Sequence, residues 1–404
     1  MKSVGVIVEY NPFHNGHLFH LQESKRVTDA DIVIAVMSGH FLQRGEPALV
    51  SKWARTKMAL KAGIDLVVEL PYQFATQQAE VFANGAISLL EALQCDAFAF
   101  GSESGNITSF VNTLQAVNDN DATIQQRIQL EVKKGNSYPK AISNAYVSLL
   151  EKDQDDLLDL SKPNNILGFH YVKALVEQKG NMKPFTITRK NAHYHDEHFA
   201  SATIASATSI RKAIFNTTEQ SDSAQIAQYV PSTTYEELHS YQQAIGTFHS
   251  WELYWPYLQY RIQTASLEEL RNIYEVEEGI EYRLKQISLE AQSFHSFMEE
   301  LKTKRYTWTR LQRMCLHILT NTTNHELSKQ NRKASYIRIL GMSQNGQAFI
   351  RKKKKELDMP IISNVKREHS DLLHTDLKAA LTYNLPIQKK KPLNEEYSSH
   401  PVFI

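Results

Sequence analysis

Two histidines three residues apart, His14 and His17, stand where an apolar run ends and a helical pattern begins. The run is Val-Gly-Val-Ile-Val at residues 4–8, and Glu-Tyr-Asn-Pro-Phe separates it from the first histidine. Spacing of three puts both imidazoles on one side of the first helical turn. Gly16 between them lets a ligand approach the backbone closely, and a helix N-terminus offers free N–H groups and the positive end of its dipole to phosphates. Two imidazole donors on such a platform can hold the negative charge that develops when a nucleophile attacks an α-phosphate. Two plainer readings stand beside this one. Either His14 caps the helix while His17 packs in the core, or the pair ligates zinc, for which no third ligand stands at a recognised spacing.

The elements that must position these groups follow from the apolar pattern. Up to about residue 216 short β-branched runs alternate with helical spacing, which predicts a parallel sheet of βαβ units. Strands are expected at residues 4–8, 31–37, 65–70, 96–100 and 185–188. Ser51 as N-cap and Gly63 as the closing residue punctuate a helix over 52–61. In such a sheet ligands bind outside the carboxyl ends of the strands, where His14 and His17 fall. The polar stretch after Phe215 marks a domain boundary, giving an α/β domain over 1–216 and a mostly helical domain over 217–404. Within the second, helices are expected at 235–244, 251–264, 278–301 and 309–320, with short strands near 336–340 and 361–362.

Of the 404 residues, 42% are hydrophobic and 22% charged, with 15 glycines and 12 prolines, a profile that excludes a disordered or collagen-like chain. The net charge of +1 means that attraction to nucleic acid must come from local clusters. Cys95 and Cys315 are the only cysteines, too few for a disulfide framework, and a reducing cytoplasm is the expectation. A secretory leader is not expected, because Glu9 and Asn11 interrupt the first apolar run. No 18-residue apolar stretch suggests a membrane span.

The residues also resemble a family. His-Asn-Gly-His at 14–17 matches the H-x-G-H signature of the class I aminoacyl-tRNA synthetase and nucleotidylyltransferase superfamily. Ser-Ala-Thr-Ser-Ile-Arg at 206–211 looks like its second signature, a Ser/Thr-rich turn whose Arg211 grips the triphosphate. Together with Pro-Asn-Asn-Ile-Leu-Gly at 163–168 and the helical second half, the nine residues 9–17 are similar to the bacterial tRNA(Met) cytidine acetate ligase family. No Lys-Met-Ser-Lys-Ser loop is present, a departure from the synthetase branch. The resemblance implies a Rossmann-like HIGH-type α/β domain followed by a mostly α-helical domain. It implies activation of acetate with ATP, assisted by Mg²⁺, and acetylation of the wobble cytidine of elongator tRNA(Met). His14, His17 and Arg211 would be catalytic. ATP would be held by Ile7, Val8, Glu9, Tyr10, Asn11, Pro12, Phe13, His14, Asn15, Gly16, His17, His20, Gly101, Asn164, Arg189, Ser206 and Thr208.

Each of these residues also has a structural reading. Asn164 could be the N-cap of a helix beginning at 165, Gly101 a simple turn residue, and Ser206 a plain cap with Ile210 and Ile214 in the core. The cluster His193, His195, Asp196, Glu197 and His198 suggests metal by composition, but its spacing favours a loop near the site. Lys52, Arg55 and Lys57 form either a solvated helix face or a phosphate or RNA contact. The cationic run 351–355, with Lys333, Arg338, Lys366 and Arg367 nearby in sequence, is the better candidate for an RNA backbone, and 389–391 is a shorter run. Two other functions remain open from sequence: a small-molecule nucleotidylyltransferase of cofactor biosynthesis, and a catalytically silent RNA-binding protein.

Overall fold

The computed structural model describes residues 1–136, 138–150, 157–189, 204–216, 226–328, 333–387 and 395–404. Five parallel strands form its centre: β1 Ser3–Val8, β2 Ile32–Ser38, β3 Leu66–Leu70, β4 Ala97–Ser102 and β5 Lys183–Thr188. Their order is β5-β4-β1-β2-β3, so the chain runs from β1 through β2 to β3 on one side and then crosses to β4 on the other. The carboxyl ends of β1 and β4 therefore flank a topological switch point, where a crevice opens. Strand β2 shows how the sheet is held. Ile32, Ile34 and Val36 enter one core with the helices Ala79–Ala92 and Pro163–Glu177, while Val33, Ala35 and Met37 enter the other with Asn15–Thr28 and Lys52–Lys61. Both faces are covered, which is why these strands read as continuous apolar runs.

The sheet does not stop at the expected boundary. Strand β6, Ile337–Met342, pairs antiparallel with β3, and β7 Ile361–Ile362 and β8 Val402–Phe403 pair with β6. Residues beyond 216 thus build a helical part and also complete the sheet edge. The helical part packs its own core around Trp255, Leu258, Leu284, Phe297 and Leu316, and it takes in Phe41 from the loop after β2 and Tyr72 from the short helix Tyr72–Ala75 after β3. The single helix expected over 278–301 is two, Ile280–Ser288 and Phe294–Leu301. Ser293 starts the second by accepting from Ser296 N, a local cap that outweighs the continuous apolar spacing.

Candidate active site

The turn after β1 reaches the helix Asn15–Thr28 through a left-handed Tyr10 (φ 49°) and a cis Asn11–Pro12 peptide. Tyr10 is buried edge-on against Phe13, centroids 4.7 Å apart, and against His17 at 5.0 Å. That packing orients the second histidine. His14 is the N-cap: its Nδ1 accepts from Gly16 N at 3.1 Å, while His17 Nδ1 accepts from His14 N at 3.3 Å. The two rings stack with centroids 3.7 Å apart. Burial, followed by the charges of Arg189 and Arg211, holds His14 down at about 3, and burial keeps His17 well below the ordinary imidazole range. Both rings are neutral near pH 7. A neutral ring that accepts at Nδ1 must carry its proton at Nε2, so the cap leaves His14 an Nε2–H donor, while the His17 ring also has the Pro12 carbonyl as a partner.

Two expectations change here. Capping and ligand binding are not alternatives for His14, since the cap is what fixes its tautomer; and His17 is half-buried beside Tyr10 instead of lost in the core. The free N–H groups expected at this helix start are taken. Asn15 N donates to Tyr229 O at 2.9 Å, Gly16 N to His14 Nδ1, and His17 N to His14 O at 2.8 Å. Gly16 is needed because the His14 ring lies over it: a Cβ there would sit 2.9 Å from His14 Cε1.

Helix Ala207–Asn216 faces this turn. Arg211 Nη1 donates to Asn11 O at 2.9 Å and Nη2 to Glu46 Oε2 at 3.1 Å. Ser206 Oγ accepts from Ser209 N at 3.0 Å, and Ile210 and Ile214 join the core as the plain reading had it. Among the described residues no acceptor meets the N–H groups of Ala207 and Thr208, so an anion can be received at this second helix start. Asn11 holds the loop across from it, its Oδ1 accepting from Leu49 N at 2.7 Å. Glu9 accepts from Gln43 N at 2.7 Å, and burial raises its pKa.

On the β4 side, Gly101 lies within the strand, where a Cβ would make ordinary contact with Arg189 Cγ at 3.4 Å and His20 Cδ2 at 3.8 Å. It is not a turn residue. His20, held down to about 4 by burial and then Arg189, has a buried Nε2 with no partner among the described residues. Asn164 is not an N-cap: the helix begins at Pro163 after Lys162, and the Asn164 amide bonds Glu103 and Arg189. His14, His17, His20, Gly101, Asn164, Arg189 and Arg211 thus converge on one edge of the sheet. Ile7, Val8, Pro12 and Phe13 build the wall behind them.

Other sequence candidates fall elsewhere. Lys52 and Arg55 are fully buried, which removes them as RNA contacts. Lys52 Nζ donates to Glu69 Oε2 at 2.7 Å and Glu396 Oε2 at 2.8 Å. Arg55 collects the carbonyls of Glu9, Ser38, Gly39 and Val50, so it fixes the carboxyl ends of β1 and β2. Lys57 pairs with Glu237. Arg338 is buried in the same charge cluster as Lys52. The run 351–355 ends the helix Gln344–Lys353, whose start is tied to Asp65 and whose Lys353 donates to Gln94. Both anchors precede strands, so this run lies along the amino edge, about 20 Å of strand away from the histidines. Residues 193–198 and 389–391 lie outside the described residues. Glu46, Glu103 and Tyr229, which hold Arg211, Asn164 and Asn15, were not legible, since each partner is far away in sequence. Among the described residues no helix is long and apolar enough to cross a membrane, and no three His, Cys, Asp or Glu groups converge as a metal site.

Comparison with known proteins agrees with this geometry. The HIGH Nucleotidyl Transferase family model matches residues 1–398. The tRNA(Met) cytidine acetate ligase of Geobacillus sp. (strain WCH70) is 49% identical over 406 residues, with both chains covered in full. That of Bacillus subtilis (strain 168) is 48% identical over 401 residues, covering 98% of this chain and 95% of the relative. Crystal structures of Thermotoga maritima TmcAL superpose over all of both chains, the apo form with TM-score 0.91 at 31% identity and the form bound with α-thio ATP with TM-score 0.90 at 30%. With the H-x-G-H turn at the switch point of a parallel sheet, the chain belongs to the HIGH nucleotidyl transferases, and within them to the tRNA(Met) cytidine acetate ligase family.

Proposed function

We propose that this chain is an ATP-dependent ligase that activates acetate as acetyl-adenylate and transfers the acetyl group to the exocyclic amine of the wobble cytidine of elongator tRNA(Met). The observation that carries the reading is the stacked, neutral His14–His17 pair, its ring orientations fixed by the two Nδ1 bonds, facing Arg211 at the carboxyl edge of β1. In the first step an acetate oxygen attacks the α-phosphorus of ATP and pyrophosphate leaves. Negative charge grows on the phosphate oxygens, where His14 and His17 donate from positions that need no reorganisation. Arg211 neutralises the departing phosphates beside the open N–H groups of Ala207 and Thr208, with Ser206 and Thr208 at the same helix start. Gly101, Asn164, Arg189 and His20 line the β4 side, where the rest of the nucleotide would lie, and residues 7–17 form the floor. In the second step the cytidine amine attacks the acetyl carbonyl and AMP leaves. That amine is a poor nucleophile, so positioning of the unstacked base supplies much of the rate.

Mg²⁺ fits as a companion of ATP: with no three protein ligands gathered among the described residues, it would ride on the phosphates, shielding their charge. Residues 1–216 with the added edge β6–β8 would hold ATP, the helical part would carry the tRNA, and the cytoplasm is the expected location. The test is to incubate the protein with ATP, acetate, Mg²⁺ and hydroxylamine without RNA. Acetohydroxamate forms if acetyl-adenylate is made in a pocket complete without RNA; trapping only in the presence of tRNA would overturn that independence.

A further inference from the structure

Glu103 follows β4 and sits on the start of the helix Pro163–Glu177. Its Oε1 accepts from Asn164 Nδ2 at 2.7 Å and Asn164 N at 3.3 Å, and its Oε2 accepts from Asn165 N at 2.8 Å. The helix needs this, because its N-cap residue Lys162 supplies no side-chain acceptor. Asn165 answers in the other direction: its Oδ1 accepts from Glu103 N and Ser104 N, both at 3.1 Å, and its Nδ2 donates to Asp159 O. The loop after β4 and the helix start are thereby locked together by five bonds between Glu103–Ser104 and Asn164–Asn165. A carboxylate at that helix start also takes the favourable end of the dipole.

The consequence lies in Asn164. A side-chain amide can turn by 180° with little change of shape, exchanging its donor for its acceptor. An ionised carboxylate only accepts, so Glu103 compels Nδ2 to face it. Oδ1 is left facing Arg189, whose Nη1 donates to it at 3.3 Å. We infer that Glu103 is a positioning residue for ATP, acting through the orientation of Asn164 and the placement of the Arg189 guanidinium. The inference rests on the reading that Asn164 and Arg189 contact the nucleotide. Glutamine in place of Glu103 keeps the shape but offers an amide that can donate or accept, so the Asn164 amide loses its enforced orientation.

The experiment is a double-mutant cycle on ATP binding by isothermal titration calorimetry, with steady-state pyrophosphate release on the same proteins. Glu103→Gln raises the ATP Kd and KM about tenfold, the worth of one charge-assisted bond, and leaves kcat within about twofold. In an Asn164→Ala background the same replacement costs nothing further. A full tenfold loss in that background would overturn the inference, because Glu103 would then touch the nucleotide itself or act only through Asn165. A fall in kcat with unchanged KM would overturn it too. If Asn164→Ala and Arg189→Ala both bind ATP as the wild type does, the nucleotide reading of those residues fails first and takes the inference with it. Thermal melts of each variant separate loss of fold from loss of orientation.

Discussion

Two ends of the same sheet edge use polar residues in opposite ways. Beside β1 and β4, His14, His17, Asn164 and Arg211 make bonds that fix the orientation of side chains at the carboxyl edge. Beside β2, β3 and β6, Lys52, Glu69, Glu396, Arg338, Asp376 and His40 are buried and turned toward one another. Burial raises the pKa of Glu69 and of Asp376, and Glu396 is held far below the carboxylate range because Lys52 and His40 outweigh its own burial. Tyr336 and Tyr72 N donate to the two oxygens of Asp376. The first group is the proposed site and the second a structural lock through which the C-terminal segment is pinned to the sheet. Residue type does not separate them, nor does the reach of the partner, since Arg211 also meets a distant carboxylate, Glu46; what does is that the second group's charges are buried against one another.

The sharpest way to break this comparison is at Lys52. Lys52→Met removes the cation between Glu69 and Glu396, leaving buried Glu69 without its cation and Glu396 with only the more distant Arg338, so urea unfolding should show a loss of about 3–5 kcal/mol. A loss under about 1 kcal/mol would mean that the cluster is open to water and is no different in kind from the site.

The converse holds at the histidines. His14→Ala and His17→Ala should each lower acetate-dependent pyrophosphate release on the order of 10²–10³-fold, while circular dichroism stays that of the folded protein. His14→Ala also removes a cap, so about 1 kcal/mol of stability goes with it. His17→Ala removes the reciprocal half of the same capping box and should lose activity with a similar loss of stability. Release unchanged from the wild-type protein in both variants would contradict their assignment.

Acid separates the two regions less but reaches both. Burial holds His14, His249 and His317 at about 3 and His20 and His40 at about 4, against about 6.5 in the unfolded chain. Between those values the unfolded state binds more protons, so stability levels off well above about pH 6.5 and falls as pH drops toward 4. Each such histidine contributes about 1.4 kcal/mol per pH unit in that window. Urea midpoints at pH 7.5, 6.5 and 5.5 check this: a drop over the first step and one about three times larger over the second are expected, and an unchanged midpoint at pH 5.5 would contradict it.

The smallest effect belongs to the cationic run at the amino edge. Replacing Lys352, Lys354 and Lys355 by Ala should leave acetyl-adenylate formation unchanged and reduce tRNA affinity alike for every tRNA, with the slope of log affinity against log salt lowered by about 0.7–0.9 per lost phosphate contact. Equal slopes for the two proteins would make this run a solvated surface.

What the sequence disclosed about these regions follows the range of the interactions. The five parallel strands were legible to within two residues at each end because β-branched runs report burial on both faces, and Lys52–Lys61 because Ser51 and Gly63 punctuate it locally. The turn holding His14 and His17 was legible for the same reason: cap, glycine and second histidine lie within four residues. Lys52 was misread because a lysine at a helix start is ordinarily solvated, and its partner Glu396 is 344 residues away. The antiparallel docking of β6 on β3 and the bonds of Glu46 to Arg211 and Glu103 to Asn164 likewise join segments that only the folded chain brings together.

The central claim is that the edge beside β1 makes an acetyl-adenylate and spends it on a tRNA cytidine. Mass spectrometry of nucleosides from elongator tRNA(Met), after incubation with the protein, ATP, acetate and Mg²⁺, tests it most directly. Acetylcytidine should appear at the wobble position with the wild-type protein and fall to trace levels with His17→Ala. Unmodified cytidine with the wild-type protein, under conditions where the tRNA is bound, would contradict the account.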